Sequence, residues 1–481
     1  MSKRITRFLP PVLAIAVATA GLMFVNSAGS SAQRPAVTPS ATKHSAIVAT
    51  TAEVLRETSE IRELEILRPV KSGAQSRVQI ERMLVKKLDE QMKEDEMHAA
   101  ELGLRKFGLV PEGFEYRPFI IKLLTEQVAG YYDAKAREFY LADWLELEGQ
   151  KPVMAHELTH ALQDQHFSLQ RFEKLPEHES DAKLAAHALI EGDATLAMTV
   201  YMARNPLVAL AFTRSLSAMG ASSKLFNESP RALRDTLIFP YAQGMDWATE
   251  VYKRGGWKMV SGAYAKLPQS SEQILHPEKY FAYEAPVKVT LPDLTDLLNE
   301  HRKQEKAISK QQTAVRKRQK ARARGASAKN PTPDTRYPAS ARQSTPSKWK
   351  RVEYDVNGEW SYYLILDQFL NAASISKRAA AGWAGDRYAV YEGPNSQILL
   401  THVSEWDTPN DAEEFFSAYV KRTALRYPGA TAFVEEAGNP SIRRWETGEG
   451  AVVVELRGSR VIVLEGVPEG LDAAKLLVVT G

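Results

Sequence analysis

"PVMAHELTHALQDQHF", residues Pro152 to Phe167, holds three of the chain's ten histidines. With about 100° per helical residue, His156 and His160 lie roughly 40° apart on one face, while Met154, Leu158, Ala161 and Leu162 gather on the other. The apolar side is expected to face a core and the imidazoles a cleft. Two imidazoles one turn apart can reach a single tetrahedral ion, with Glu157 beside them where it can address a water at that ion. Pro152 is expected to open the helix, since its missing N–H has no intrahelical partner at a first position. The alternative is a structural helix carrying histidines by chance, but only roughly 0.01 to 0.02 such patterns are expected in a chain of this composition.

The flanking sequence sets this helix in a mixed α+β fold. Upstream, "LTEQVAGYYDAKAREFYLADWL" places two runs rich in Tyr, Phe and Val around "DAKA", the pattern of a hairpin. Downstream, Glu179 to about Arg204 reads as a second helix stopped by Pro206, and "PQSSEQILHPEKYF" (268–281) as a short helix ended by Pro277. Residues 52–104 carry apolar positions at helical spacing among charges and are expected to form amphipathic helices. Together, 52–300 is expected to form one mainly helical domain.

The ends differ in character. "MSKRITR" followed by an apolar stretch of 14 residues, Val12 to Val25, and the small residues of "NSAGSSAQ" predicts a signal peptide over 1–32, with the mature protein exported to a periplasmic or extracellular location. Retention by an uncleaved anchor is the competing reading, against which stand the shortness of the stretch and the helix-breaking Pro10 and Pro11. Residues 33–51, rich in Ser, Thr, Ala and Pro, are expected to be a flexible stalk. The chain contains no cysteine, so thiol catalysis and thiolate ligation are excluded and a metal must be held by His, Asp or Glu.

Hydrophobic residues make up 44% and charged residues 25%, which excludes a wholly disordered or multi-spanning chain. The net charge of +3 hides an uneven distribution: residues 301–351 hold 16 Lys and Arg against two Asp and Glu, so the remainder is net acidic. Segment 301–350 lacks hydrophobic periodicity and is expected to be a basic low-complexity linker, a solvated spacer helical in its first part. Contact with an anionic envelope polymer or lipid is the other reading, and no nucleic-acid-binding motif accompanies the charge. Residues 351–481 are expected to form a small α+β domain of antiparallel strands: one pair around "EGPNSQ", another in "AVVVELRGSRVIVLEG" turning at Gly458-Ser459, and between them a helix capped by Thr408, Pro409 and Asp411.

The motifs "VMAHELTHALQDQHF" and "ALIEGDAT" (188–195), with the preceding hairpin, resemble the gluzincin group of zincin metallopeptidases. "EQVAGYYD", "SSEQILHPEKY" and "GWAGDRY" extend the likeness to a group of exported bacterial proteins, over about Ala100 to the C-terminus. The resemblance implies a zincin-like domain and a Zn²⁺-dependent hydrolase acting on a peptide or protein, an endopeptidase in preference to an exopeptidase. His156, His160 and Glu191 would be the metal ligands and Glu157 the general base. For the third ligand, His187 shares a helix face with Glu191, and Asp181 and Glu179 lie nearer the start of the same helix. An oxyanion partner is expected from His276, or from Tyr280 or Tyr131. Asp164 is a candidate to orient a ligand imidazole, with a solvated charge the equal alternative. Glu126 and Gln127 are expected to make structural hydrogen bonds. The rival reading is a non-catalytic zinc-binding envelope protein whose C-terminal domain mediates interactions.

Overall fold

A computed structural model describes residues 15–17, 40–218, 224–323, 346–433 and 441–480. The first unit runs through β1 (Ile15–Val17), α1 (Ser40–Arg62), β2 (Lys71–Gln75), α2 (Arg77–Gln91), α3 (Glu94–Lys106), α4 (Tyr116–Gln127), β3 (Val128–Asp133), β4 (Glu138–Ala142) and α5 (Leu147–Phe167). It continues with α6 (Ser180–Arg204), α7 (Pro206–Ala218), α8 (Lys224–Glu228), α9 (Arg231–Ala263), α10 (Ser271–Leu275) and α11 (Pro277–Ala282), and α12 (Thr295–Ala323) leads into the second unit, where its first turn packs. The second comprises β5 (Lys350–Asp355), α13 (Gly358–Leu370), α14 (Ala373–Ala380), β6 (Trp383–Glu392), β7 (Ile398–Trp406), α15 (Pro409–Arg426), β8 (Thr431–Phe433), β9 (Ile442–Thr447), β10 (Gly450–Arg457), β11 (Arg460–Val467) and α16 (Ala473–Thr480). The class is α+β.

In the first unit a four-stranded sheet of order β1-β3-β4-β2 lies against a helical layer. Strands β3 and β4 form the hairpin around "DAKA", with Gly130 opposite Leu141 and Asp133 opposite Glu138. The seven strands of the second unit run in the order β5-β6-β7-β11-β10-β9-β8, every neighbouring pair antiparallel. Both predicted hairpins there are present, and the α15 capping box at Thr408 and Asp411 closes as the sequence indicates. Among the described residues no helix is long and apolar enough to cross a membrane.

Helix α5 is buried along nearly its whole length between α1, α6, α7 and β3. It begins at Leu147, five residues before Pro152, which corrects the expected start. The additional turn is fixed by packing: a Cβ on Gly149 would fall 1.9 Å from Ser215 Oγ of α7, so only glycine admits that neighbour. Helix α6 meets α9 as closely, where a Cβ on Gly192 would lie 2.1 Å from the carbonyl oxygen of Gly244. Backbone contact of this kind holds two helices rigidly because interiors are close-packed.

Three boundaries differ from the expected ones. The stalk is helical from Ser40, and Ile47 and Thr51 are buried, because α1 packs its inner face on α5 and α6. Lys71–Gln75 is a strand pairing in parallel with β4, although it lacks the alternation that marks a half-buried strand; its backbone partner defines it. Val289, Leu291, Leu294 and Leu298 join the core of the second unit with Trp349, so that unit begins before residue 300, and the first part of the basic linker is α12. The signal-peptide residues other than 15–17, and 324–345 of the linker, lie outside the described residues.

The two units share one continuous apolar core. Where they meet, Ser180 N, at the start of α6, donates to Asp355 Oδ1 at 2.9 Å, and Arg387 pairs with Glu179 at 2.9 Å. The second unit thereby fixes the entry of the helix that carries Glu191.

Candidate metal centre

His156 and His160 project from one face of α5 toward Glu191 of α6. The two Nε2 atoms are 3.1 Å apart, His156 Nε2 is 3.1 Å from Glu191 Oε2, and His160 Nε2 is 3.4 Å from the same oxygen. All three side chains are buried, and this group could hold a metal ion. Glu191, and not His187, Asp181 or Glu179, completes the cluster. Asp181 instead accepts from Ser271 N at 2.9 Å, and Glu179 faces Arg387.

The surroundings determine which imidazole nitrogen is available. Gln163 Nε2 donates to Ile190 O at 3.0 Å and to Asp193 Oδ2 at 2.9 Å, so its Oε1 is the acceptor facing His160 Nδ1 at 2.8 Å. Nδ1 therefore carries a hydrogen, which leaves Nε2 as the nitrogen facing the cluster, the one that could serve as a metal ligand once its own proton is lost. Asp193 is held in turn by Arg62, 2.6 Å away with both side chains fully buried, and by Tyr264 OH at 2.8 Å. The ring of Tyr241, from α9, stacks on His156 with centroids 5.9 Å apart.

Burial alone would raise the Glu191 carboxyl, but the charge on His160 and the hydrogen bonds of His156, His160 and His187 outweigh it and hold the carboxyl well below the usual range. Burial pushes the His156 imidazole down, while on His160 the pull of Glu191 prevails over burial and raises it to about 9. A cation held by this group would displace the proton on His160, because ligands bind metals in their deprotonated forms.

Glu157 follows His156 and is fully buried. Its Oε2 accepts from the Tyr132 backbone N–H at 2.7 Å, which ties the carboxylate to β3. Asp164 does neither of the things considered for it. It is buried and accepts from Arg68 and from Tyr132 OH, each at 3.0 Å. Gln163 does the orienting instead, and its place three residues after His160 is the signal that could have found it.

The candidates for an oxyanion partner are drawn elsewhere. His276 Nε2 lies 2.9 Å from Glu359 Oε1, and this hydrogen bond raises its imidazole above the ordinary value. Tyr280 OH donates to Lys266 O at 3.0 Å, and Tyr131 OH to Gln75 Oε1 at 2.9 Å. Glu126 is exposed near the end of α4.

A family model described as "Domain of unknown function (DUF8575)" matches residues 345–476, which form most of the second unit. No curated protein matches the chain, and no solved structure does.

Proposed function

We propose that the chain is an exported zinc-dependent endopeptidase of the gluzincin type, acting on a peptide or protein substrate. The observation that carries the reading is the convergence of His156 Nε2, His160 Nε2 and Glu191 Oε2 at 3.1 to 3.4 Å from one another. Zinc–nitrogen and zinc–oxygen bonds of about 2.0–2.1 Å in a tetrahedron put ligand atoms about 3.3–3.4 Å apart, so the spacing suits that ion. Two imidazoles and one carboxylate also form a donor set of the borderline character zinc prefers, unlike the all-oxygen sets of calcium and magnesium. The hairpin before α5 and the carboxylate from a second helix support the zincin-like reading of the fold.

When bound, zinc supplies a Lewis acid that polarises a peptide carbonyl and acidifies water. The chain supplies the proton traffic. Glu157, anchored by the Tyr132 N–H, takes a proton from the water that attacks the carbonyl carbon and delivers it to the amine nitrogen as the C–N bond breaks. Gln163 keeps His160 in the required tautomer while this happens.

Metal analysis of the purified chain, paired with a peptide-library digest, tests the proposal. One zinc per chain is expected, with cleavage that stops on chelation and returns on adding zinc. Stoichiometric zinc without cleavage would favour the non-catalytic rival, and absence of zinc would refute both.

A further inference from the structure

We infer that His187 keeps Glu191 a one-oxygen ligand and so keeps a coordination position open for substrate, an inference that rests on the metal site proposed above. His187 and Glu191 are four residues apart on α6 and share a face of the helix. The two carboxylate oxygens have different partners. Oε2 looks at His156 Nε2 and His160 Nε2, whereas Oε1 lies 3.1 Å from His187 Nε2. An ionised carboxylate oxygen only accepts, so the hydrogen of this bond sits on His187 Nε2.

That hydrogen bond occupies Oε1, the oxygen not shared with His156 and His160. A metal taking both oxygens would have to compete with it. With Oε2 alone, the protein provides three donor atoms and a tetrahedral ion retains its fourth position, the arrangement that separates catalytic from structural zinc sites. With both oxygens engaged, the carboxylate would occupy that position itself. His187 is also the member of the group nearest the surface, its side chain 20% exposed against 2% for His156 and 0% for His160 and Glu191. Its loss would therefore disturb the ligand set more than the core.

The experiment uses the full chain with Co²⁺ at the site, whose visible absorption reports coordination number. Wild type should bind one Co²⁺ per chain and show the intense bands of a low-coordinate ion. His187→Ala should still bind one Co²⁺, with weakened bands that mark a higher coordination number, and turnover at saturating metal about 10-fold lower. His187→Gln places an amide N–H near the same oxygen and should restore the spectrum and most of the turnover. Unchanged bands in His187→Ala, failure of that variant to take up Co²⁺, or a Gln variant indistinguishable from the Ala variant would each overturn the inference. A wild-type chain without stoichiometric Co²⁺ would overturn the metal reading beneath it.

Discussion

The backbone N–H of Tyr132 and the carboxylate of Glu157 are joined by a 2.7 Å hydrogen bond, so the proposed base is tied to the strand beside the candidate metal centre. The bond needs only a carbonyl-type oxygen, which glutamine retains. Glu157→Gln is therefore expected to keep the fold and the metal while losing at least about two orders of magnitude in turnover, the usual scale of general-base catalysis. Zinc content and initial rates on one cleaved peptide check this, and retained activity would sink the mechanism.

His156→Ala and Glu191→Ala each leave two protein donors, too few for a firm zinc site. Both should purify with far less than one zinc per chain, while Glu157→Gln retains it. Should Glu191→Ala hold zinc as wild type does, the third ligand has been misassigned.

Gln163→Leu removes the acceptor of the His160 Nδ1–H and one of the donors to Asp193. Ten- to hundredfold weaker zinc binding is expected, the range found when the partners that orient metal ligands are lost. A competition titration against a chelator of known affinity reads it directly; an affinity within twofold of wild type would show that His160 is oriented by its packing alone.

Asn299 bridges the two sides of the basic segment, its side chain meeting both the N–H and the carbonyl oxygen of Trp349 at 3.0 Å. Deleting Lys303 to Lys348 should therefore leave the junction intact, with a melting temperature changed by less than about 2 °C, since for a cooperative unit of this size roughly 1 kcal/mol moves the midpoint by only about 1 °C. Loss of a single cooperative transition would show that the deleted residues pack.

In the second unit Glu465 is fully buried against Arg422, with Arg426 Nη1 2.6 Å from its other oxygen. Burial would raise its carboxyl, but Arg422, Arg426 and Lys106 prevail and lower it from 4.5 to about 2. A depressed folded-state pKa stabilises above the unfolded value, and that stability is lost as pH falls from 4.5 through about 2. By pH 3 the loss is about 2 kcal/mol at 1.36 kcal/mol per unit. Urea melts at pH 6 and pH 3 should show Glu465→Gln to be less stable at both and less sensitive to pH by that amount; equal pH sensitivity would remove Glu465 from the acid response.

The parts of the fold that were legible in the sequence are those written in short-range chemistry. One helical turn places His156 beside His160, and the Gly458-Ser459 turn and Thr408 cap act within a few residues of themselves. Glu191 required more, namely the likeness of "EGDAT" to known ligand helices. What escaped depends on partners far along the chain. Arg62 and Asp193 are 131 residues apart, and neither has a pattern that announces the other. Lys71–Gln75 becomes a strand only because β4 offers it hydrogen bonds, and the turn before Pro152 exists because Gly149 lets α7 come close.

The chain of contacts from Arg62 through Asp193 and Gln163 to His160 limits where this polypeptide can be cut. Arg62 is the last residue of α1, and it also bonds Ser261 Oγ at 3.1 Å and lies over the ring of Trp257. A protease trimming the chain upstream of α1 leaves that anchor in place. One cutting just beyond residue 62 loosens the arginine that holds the buried carboxylate of Asp193, two hydrogen bonds from the candidate ligand His160, although the HELTH segment itself is untouched. Truncation thus meets a border there: a fragment that keeps this chain of contacts must carry the helix that ends at Arg62, nearly a hundred residues ahead of His160.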